Sequence, residues 1–272
     1  MALRINLNTS AMNAHRWLSV SDSALTKSIE KLSSGYRINV AADDPAGLVI
    51  SENLRTQVSG LGVALRNTEQ SISMIKTAEA AIQEVHNLLR SMRDLALHAA
   101  NTGANGTTEI AADQSQITSA IASLDRIANQ TQFGSLTLLD GTATGLTFQV
   151  GANANQTVTV DLPDVSAGTL GVSAIDVTVD AQAAITALDA AIDTVSSARV
   201  DLGAFQKNTL ESNLNSLATA KENLAATESA IRDTDMAAEM VNFTRYQILL
   251  QAGSAMLTQA NQSPQVILQM LR

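Results

Sequence analysis

The sequence predicts a mainly α-helical protein, in which long helices from both chain ends pair as an antiparallel helical bundle or coiled coil. A small β-hairpin region interrupts the helices in the middle of the chain. Apolar residues recur at alternating steps of three and four over two long stretches, which is the periodicity of helices that pack lengthwise. Between about residues 133 and 180 the pattern changes to the alternation of strands. Hydrophobic residues make up 45% of the chain but aromatic residues only 3%, a composition typical of long packed helices.

Composition and motifs narrow the classes of function. The chain has 272 residues and no cysteine, so disulfides and thiolate metal sites are excluded. A formal net charge of −9 argues against nucleic-acid binding, which needs clustered lysine and arginine. No stretch approaches the roughly 18 consecutive apolar residues of a membrane span, and zinc-protease, phosphate-loop and nucleophile-elbow motifs are missing. We therefore expect no enzyme activity, no cofactor, no metal site, and neither nucleic acid nor a membrane as partner.

The N-terminal segment predicts a first helix of coiled-coil type. Its apolar seam follows steps of seven, four and three, at Leu18, Leu25, Ile29 and Leu32. Gly35 stands where this helix would end, because glycine tolerates the left-handed conformation that closes a helix. Residues 35–43 carry no clear period and therefore predict a break.

A second, much longer helix is predicted to begin beside Pro45. Asp43 or Asp44 can cap it, and proline fits the first helical position because its missing N–H would be unpaired there. A helix cap explains the two aspartates better than a metal or acid–base site does. Apolar positions then continue in steps of three and four to about Ala100, and a helix this long must pack lengthwise on others.

The middle of the chain alternates between loops and short elements. Glycine and asparagine at 101–107 predict a loop, and the apolar rhythm at 110–128 predicts a shorter helix. Alternating apolar residues at 146–162, on both sides of the sequence GANANQ, predict a β-hairpin. Residues 163–180 predict an irregular or short β segment.

A third long helix is predicted to start near Asp180. Its apolar rhythm slips by one residue between Leu202 and Leu210. A slip of this kind predicts a local change in how the helix winds around its neighbours.

The last amphipathic helix is expected from about Met236 to Asn261, after a cap at 233–235, and Pro264 is expected to interrupt it. Its apolar positions include Val241, Ile248, Leu249, Met256 and Leu257. An apolar stripe usually packs in a core, but at a chain end it can also be a surface for a partner. The helices of the two ends can cover each other in part, and like neighbours in an assembly can cover the rest.

Several stretches resemble the signatures of bacterial flagellins. Near the N-terminus these are LSSGYRINVAADDPAGLVISENL, GLGVALRNTEQSISMIKTAEAAIQEV and RDLALHAANTG, and near the C-terminus they are LGAFQ, ENLAATESAIRDTDMAAEM and LTQANQSPQVILQMLR. The resemblance covers roughly residues 1–140 and 184–272. Because the matches occur at both ends and in the right order, they are very specific.

The resemblance implies a structural subunit that self-assembles into the bacterial flagellar filament for swimming motility. It implies three regions, namely the N-terminal part of an inner coiled-coil domain with a spoke (1–42), a helical rod domain with a β-hairpin region at about 133–180 (43–232), and the C-terminal helix of the inner domain (233–272). The apolar residues of the first and last helices would pack in the inner tube. The break marked by Gly35, Asp43, Asp44 and Pro45 would be the spoke that joins the inner tube to the outer rod.

Partners and location follow from the same resemblance. The chain would leave the cell through the flagellar type III export apparatus without a cleaved signal peptide, which agrees with the absence of a continuous apolar run near the N-terminus. An export chaperone would shield the C-terminal helix, and filament cap and junction proteins would contact the polymer. The expected location is the extracellular flagellar filament.

The segment LLRSMRDLALHAAN resembles the part of flagellins that Toll-like receptor 5 recognises. The candidate residues for this recognition are Leu89, Arg90, Arg93 and Leu95. Ser91 stands where stimulatory members commonly have arginine, and Gln116 where they have glutamate. Because losing a charged anchor removes much of the energy of a binding hot spot, we expect weak receptor activation.

Two alternative functions are compatible with the helical pattern. A hook–filament junction protein shares the design of paired terminal helices, and long polymers of the purified chain would argue against it. A soluble coiled-coil adaptor unrelated to motility would keep both termini stably helical in the isolated monomer.

Overall fold

The computed structural model describes residues 7–270, and their side chains as far as residue 262. The α-helices of this part are α1 (Thr9–Ser34), α2 (Pro45–Ala100), α3 (Thr107–Gln130), α4 (Ala181–Ala204), α5 (Ser212–Arg232) and α6 (Met236–Met270). A seven-residue π-helix, Phe205–Glu211, joins α4 to α5. The predicted regions 1–42 and 233–272 include residues 1–6 and 271–272, which lie outside the described part of the chain.

Two short antiparallel pairs of strands lie between α3 and α4. Strands β1 (Gln132–Phe133) and β2 (Leu136–Thr137) form one pair, and β3 (Leu146–Gln149) and β4 (Thr157–Val160) form the other. The second pair confirms the predicted hairpin, with Leu146 opposite Val160. The sequence pattern did not predict the first pair, because two-residue strands are too short to show an alternation.

The chain divides into two compact units. The terminal unit consists of Met1–Thr56 and Asn223–Arg272, and the central unit consists of Gln57–Glu222. In the terminal unit α1 packs against α6, which confirms the predicted pairing of the two chain ends. The prediction of a mainly α-helical fold with a small β region is also confirmed.

Aliphatic side chains from several elements form the core of the central unit. On α2, Ile75, Ile82 and Leu89 follow at steps of seven and are fully buried. Ile117 and Leu124 of α3 and Leu188 of α4 belong to the same core. Burying one such side chain stabilises a fold by about 1.5–3 kcal/mol, so the repeat of three and four holds these helices together.

Irregular backbone completes the core of the central unit. Residues 163–180 form turns rather than a strand. Their apolar side chains nevertheless enter the same core, at Val165, Val172, Ile175 and Val177. Main-chain bonds fix the segment, since Leu162 N donates to Ala143 O over 3.1 Å and Val165 N donates to Leu139 O over 3.1 Å.

Two side-chain amides attach the β3–β4 hairpin to the helices. Asn67 Nδ2 donates to Gln149 O over 3.3 Å, and Asn213 Nδ2 donates to Val150 O over 3.0 Å. Gly60 of α2 allows the hairpin tip to approach, because a Cβ at this position would lie 3.0 Å from Ala152 Cβ. The hairpin is therefore held by the side-chain amides of Asn67 and Asn213, and it fits against α2 because Gly60 has no side chain.

The π-helix explains the slip in the apolar rhythm. Leu202 and Leu210 are eight residues apart, and both are buried. In a regular α-helix of 3.6 residues per turn, a step of eight would rotate the second leucine by about 80° away from the first. The wider π turns absorb one extra residue, so both leucines reach the same core.

The expectation that Pro264 interrupts the last helix is wrong, because α6 continues to Met270. Proline cannot donate the main-chain bond to the carbonyl four residues earlier, which is that of Ala260. Asn8 Nδ2 donates to this Ala260 oxygen over 2.8 Å instead. The freed carbonyl therefore keeps a hydrogen-bond partner, and the loss of one helical bond is not enough to end the helix.

We predict that deleting Asn208, an exposed residue of the π-helix, leaves the central unit folded. The deletion restores a step of seven between Leu202 and Leu210, so the π turns become α-helical and both leucines stay buried. The thermal unfolding midpoint, measured by circular dichroism, should stay the same or rise.

Deleting Thr194, an exposed residue of regular α4, is the matched control. It rotates one side of the helix away from its core partners, and each displaced leucine costs about 2–5 kcal/mol. Equal destabilisation by the two deletions would show that the π-helix does not store an extra residue.

Candidate functional site: the terminal helix pair and its linkers

Helices α1 and α6 pack antiparallel along most of their length. Asn8 at the start of α1 contacts Ala260 in the C-terminal half of α6. Leu18 lies beside Gly253, where a Cβ would be 3.0 Å from Leu18 Cδ1. Glycine at this position therefore lets the two helices approach closely.

One polar contact lies inside the apolar seam of the pair. Ser28 is buried on α1, and its hydroxyl donates to Glu239 Oε1 of α6 over 2.5 Å. A polar pair inside an apolar seam favours one alignment, because a shifted register would leave the buried hydroxyl without a partner. This contact therefore fixes how α1 and α6 are aligned.

The apolar residues predicted to pack in the inner tube divide into two groups. Leu18, Leu25, Leu32 and Leu257 are half-buried. The remaining side chains are between 45% and 64% exposed, namely Ile29, Val241, Ile248, Leu249 and Met256. The first group is partly covered within the single chain, whereas most of the second group's surface is left open.

A continuous apolar surface runs along the exposed side of α6. A shallow groove there, which we call the α6 face, is lined by Met240, Val241, Thr244, Arg245, Ile248 and Leu249. Met240, Val241, Ile248 and Leu249 are each at least 45% exposed. Contiguous apolar surface of this kind usually marks a site for another protein.

Gly35 ends α1 as the sequence predicts. Its φ is +76°, in the left-handed region, and its N–H donates to Lys31 O over 2.9 Å. A Cβ at Gly35 would meet no atom within 4 Å. The requirement for glycine therefore comes from the backbone conformation and not from crowding.

The two aspartates predicted at the helix break, Asp43 and Asp44, accept hydrogen bonds in different structural elements. Asp44 caps α2, because its Oδ1 accepts from Gly47 N over 2.9 Å, and Pro45 is the first residue of the helix. Asp43 instead closes the preceding turn by accepting from Asn39 N and Val40 N, both over 3.2 Å. These two backbone hydrogen bonds hold the pKa of Asp43 below its ordinary value, and the bond from Val40 has the larger effect.

The linker 35–44 lies beside the linker 233–235. Tyr36 and Asp233 form an antiparallel bridge. Arg37 N donates to Arg232 O over 2.7 Å, and Thr234 N donates to Gly35 O over 2.9 Å. The connection into α2 and the connection into α6 are therefore paired by main-chain bonds.

Arg232 joins both linkers to α2. Its Nη1 donates to Glu52 Oε1 over 2.6 Å, and its guanidinium lies 4.7 Å from the centroid of the Tyr36 ring. The side chain is only 12% exposed, whereas that of Glu52 is 51% exposed. Planar guanidinium groups suit such combined stacking and ion pairing, so Arg232 is the centre of this junction.

The candidate receptor segment lies on α2 in the central unit. Leu89 is fully buried in the core, and Leu95 is half-buried. Arg93 Nε donates to Asp189 Oδ1 over 2.5 Å, and this bond raises the pKa of Arg93. Arg90, Ser91 and Gln116 are exposed.

Neither a metal site nor a membrane span is found in the described residues. No group of three histidine, aspartate or glutamate side chains there is arranged to hold a metal ion. Within residues 7–270, no helix combines the length and apolar content that crossing a bilayer needs.

Sequence reasoning did not find the junction of Arg232, Tyr36 and Glu52, nor the Ser28–Glu239 pair. These residues are separated by up to 211 positions in the chain. No local periodicity marks a contact at such a distance. The position of Arg232, directly before the cap at 233–235, is only a weak indication in the sequence that this arginine is largely buried.

Family models match most of the chain. Residues 5–144 match the bacterial flagellin N-terminal helical region, and residues 185–271 match the bacterial flagellin C-terminal helical region. Similar relatives are the flagellin of Halalkalibacterium halodurans, which is 47% identical over 98% of this chain and 99% of its own length, and the flagellin of Bacillus subtilis, which is 43% identical over 99% of this chain and 100% of its own. A flagellar filament 33 kDa core protein of Treponema phagedenis is 40% identical over 98% of this chain and 99% of its own.

Solved structures show the same likeness. A crystal structure of Bacillus cereus flagellin matches with a TM-score of 0.51 at 30% identity, over 60% of this chain and 94% of that chain. A putative flagellar hook-associated protein from Vibrio parahaemolyticus matches with a TM-score of 0.59 at 17% identity, over 70% of this chain and 100% of that chain. The second likeness is one of fold alone.

We predict that Arg232→Ala loosens the paired linkers. The variant loses the bond to Glu52 and the stacking on Tyr36, which together contribute about 1 kcal/mol after solvent screening of the exposed Glu52. Amide hydrogen exchange at Arg37 and Thr234 should accelerate, because both amides depend on the linker pairing.

Arg55→Ala is the control, since Arg55 also faces Glu52 but at 4.0 Å and on the surface. Exposed pairs of this kind contribute about 0.5 kcal/mol or less. Unchanged exchange at Arg37 and Thr234 in Arg232→Ala would remove Arg232 from the centre of the junction.

Proposed function

The chain belongs to the bacterial flagellins and is a structural subunit of the flagellar filament, and from that premise we propose which of its surfaces build the polymer. The observation that carries the proposal is the exposed α6 face, which stays open although α1 and α6 already pair within one chain. We propose that neighbouring copies cover this face in the filament. The half-buried leucines hold the pair together, and the exposed residues join the pairs to one another.

Burial of the α6 face supplies the driving force for assembly. Covering apolar surface contributes about 25 cal/mol per Å². In a helical polymer every subunit makes the same contacts with its neighbours, so this contribution recurs at each subunit of the filament. The proposed inner tube is formed by α1 and α6, and the proposed outer rod by the central unit. The paired linkers around Gly35, Asp43, Asp44 and Pro45 serve as the spoke between them.

Export partners are proposed for the same face. An exposed apolar stripe in an unassembled subunit invites premature association, so a dedicated export chaperone would cover it until the chain enters the type III export apparatus. Contacts with filament cap and junction proteins complete this proposal. The function needs no catalysis, cofactor or metal.

A hook–filament junction protein is the alternative that the helical pattern left open. A hook-associated protein shares the fold alone, whereas near-full-length relatives named as flagellins support the filament subunit. Electron microscopy after seeded polymerisation distinguishes the two, because a filament subunit forms long tubes and a junction protein does not. A soluble adaptor would leave only monomers.

We predict that Ile248→Glu blocks assembly while leaving the monomer folded. The glutamate would have to be buried between subunits without a partner, so the critical concentration for polymerisation should rise at least about tenfold, or 1.4 kcal/mol. The measurement is sedimentation of seeded polymers, with co-purification of the export chaperone as a second readout that should also decrease.

Gln247→Glu is the matched control, because it adds the same charge to the neighbouring exposed position of α6. It should polymerise within about twofold of the unaltered chain, since charges that stay in water cost little. Normal filaments from Ile248→Glu would show that the α6 face is not an interface.

Weak recognition by Toll-like receptor 5 is proposed for the segment on α2. Leu89 is buried, Arg93 is already paired with Asp189, and Ser91 offers no charge. Ser91→Arg should raise potency in a receptor reporter-cell assay by about tenfold, the size of a modest hot spot. Ser73→Arg, on an exposed position of the same helix, should not, and equal potency of both variants would contradict the proposal.

A further inference from the structure

We infer that Asn105 is a site of spontaneous deamidation, at which the side-chain amide is converted through a cyclic imide to aspartate and isoaspartate. Asn105-Gly106 is the only Asn-Gly pair in the sequence. It lies in the loop between α2 and α3, outside regular secondary structure. Loops of this kind can rearrange locally without unfolding the core.

The backbone nitrogen of Gly106 is the nucleophile, and three observations leave it free to react. Gly106 has no side chain to hinder its approach to the preceding side chain. Its N–H donates to no acceptor among the described residues. Its φ of −83° and ψ of 174° place it in extended backbone just before α3.

A carboxylate is close to this nucleophile. A Cβ built on Gly106 would lie 2.7 Å from Glu109 Oε2, so the carboxylate of Glu109 approaches the main chain of Gly106 closely. A base in this place can accept the proton of the Gly106 N–H. The arrangement therefore supplies both the attacking atom and a proton acceptor.

The reaction balances without an oxidant or a reductant. The Gly106 nitrogen loses its proton and bonds to Asn105 Cγ, the Cγ–Nδ2 bond breaks, and Nδ2 takes up a proton and leaves as ammonia. Water then adds to one of the two carbonyl carbons of the ring and breaks its bond to the Gly106 nitrogen. Opening at Cγ gives aspartate, and opening at the main-chain carbon gives isoaspartate, in which the chain runs through Cβ.

The product cannot keep the contact that now holds the loop. Asn105 Nδ2 donates to His98 O at the end of α2. After conversion a carboxylate oxygen would face this carbonyl, and two acceptors repel each other. His98 is itself tied to α3, because its Nδ1 lies 2.7 Å from Oδ2 of the mostly buried Asp113. Conversion therefore loosens the loop while the His98–Asp113 contact keeps the helices in place.

Asp140-Gly141 is an internal comparison, because aspartate before glycine can form the same cyclic imide. Asp140 Oδ1 accepts from Thr142 Oγ1 over 2.6 Å and from Thr142 N over 3.0 Å. These bonds hold the pKa of the Asp140 carboxyl below its ordinary value. A carboxylate that is ionised and accepts two hydrogen bonds is a poor target for attack by the Gly141 nitrogen, so we expect little isoaspartate at residue 140.

The test is incubation of the purified full chain in mildly alkaline buffer, followed by peptide mapping and isoaspartate methyltransferase labelling. Aspartate and isoaspartate at residue 105 should exceed the conversion at every other asparagine by at least about tenfold, because only here does glycine follow. In heavy-oxygen water the label should enter at residue 105. Amide exchange in the loop should be faster in the converted fraction than in the unconverted one.

Gly106→Ala and Gly103→Ala are matched variants of the same loop. The first should lower conversion at residue 105 by about tenfold, because its methyl group hinders the attack. The second should leave conversion unchanged, since a Cβ at Gly103 meets nothing within 4 Å. Conversion spread evenly over the asparagines, absence of heavy oxygen at residue 105, or a folded Gly106→Ala that converts at the original rate would each overturn the inference.

Discussion

Burial of aliphatic side chains at every third and fourth position is the constraint on which this structure depends. Isolated helices gain little stability from their own backbone bonds, so a helix as long as α2 must cover its apolar side with other elements. The central unit meets this demand within the chain, and residues such as Ile82 and Leu89 are fully buried. The π-helix beside Leu210 shows how strong the demand is, because the backbone widens rather than turn that leucine away from the core.

The terminal unit meets the same demand only in part. Its two helices cover one side of each other, and the α6 face stays exposed. For a filament subunit this division is useful, because the covered seam defines the shape of the pair before assembly. In the assembly proposed above, the uncovered side provides the apolar surface that neighbouring subunits bury. In that proposal, folding and polymerisation use the same kind of side chain on different sides of one helix.

Polar contacts decide alignment where aliphatic packing alone would allow several registers. Ser28 with Glu239, and Asn8 with the carbonyl of Ala260, each fix α1 against α6 at one end of the pair. Arg232 performs a similar task at the linkers, where it reaches Glu52 and the Tyr36 ring. Such contacts add modest stability, but they select one alignment, because a shifted alignment would leave buried or half-buried polar groups unpaired.

The sequence by itself determined the features that arise within a few residues of one another. Gly35, the cap at Asp44-Pro45, the hairpin around GANANQ and the slip before Leu210 all follow from local stereochemistry and periodicity. Tertiary structure alone decided which apolar residues face the partner helix, so that Leu257 is half-buried while Ile248 and Met256 are exposed. It also decided that α6 passes Pro264, since the carbonyl freed there is taken by Asn8 from the other end of the chain. A periodic pattern specifies which residues share a side of a helix, but only the position of the distant helix specifies which of them it covers.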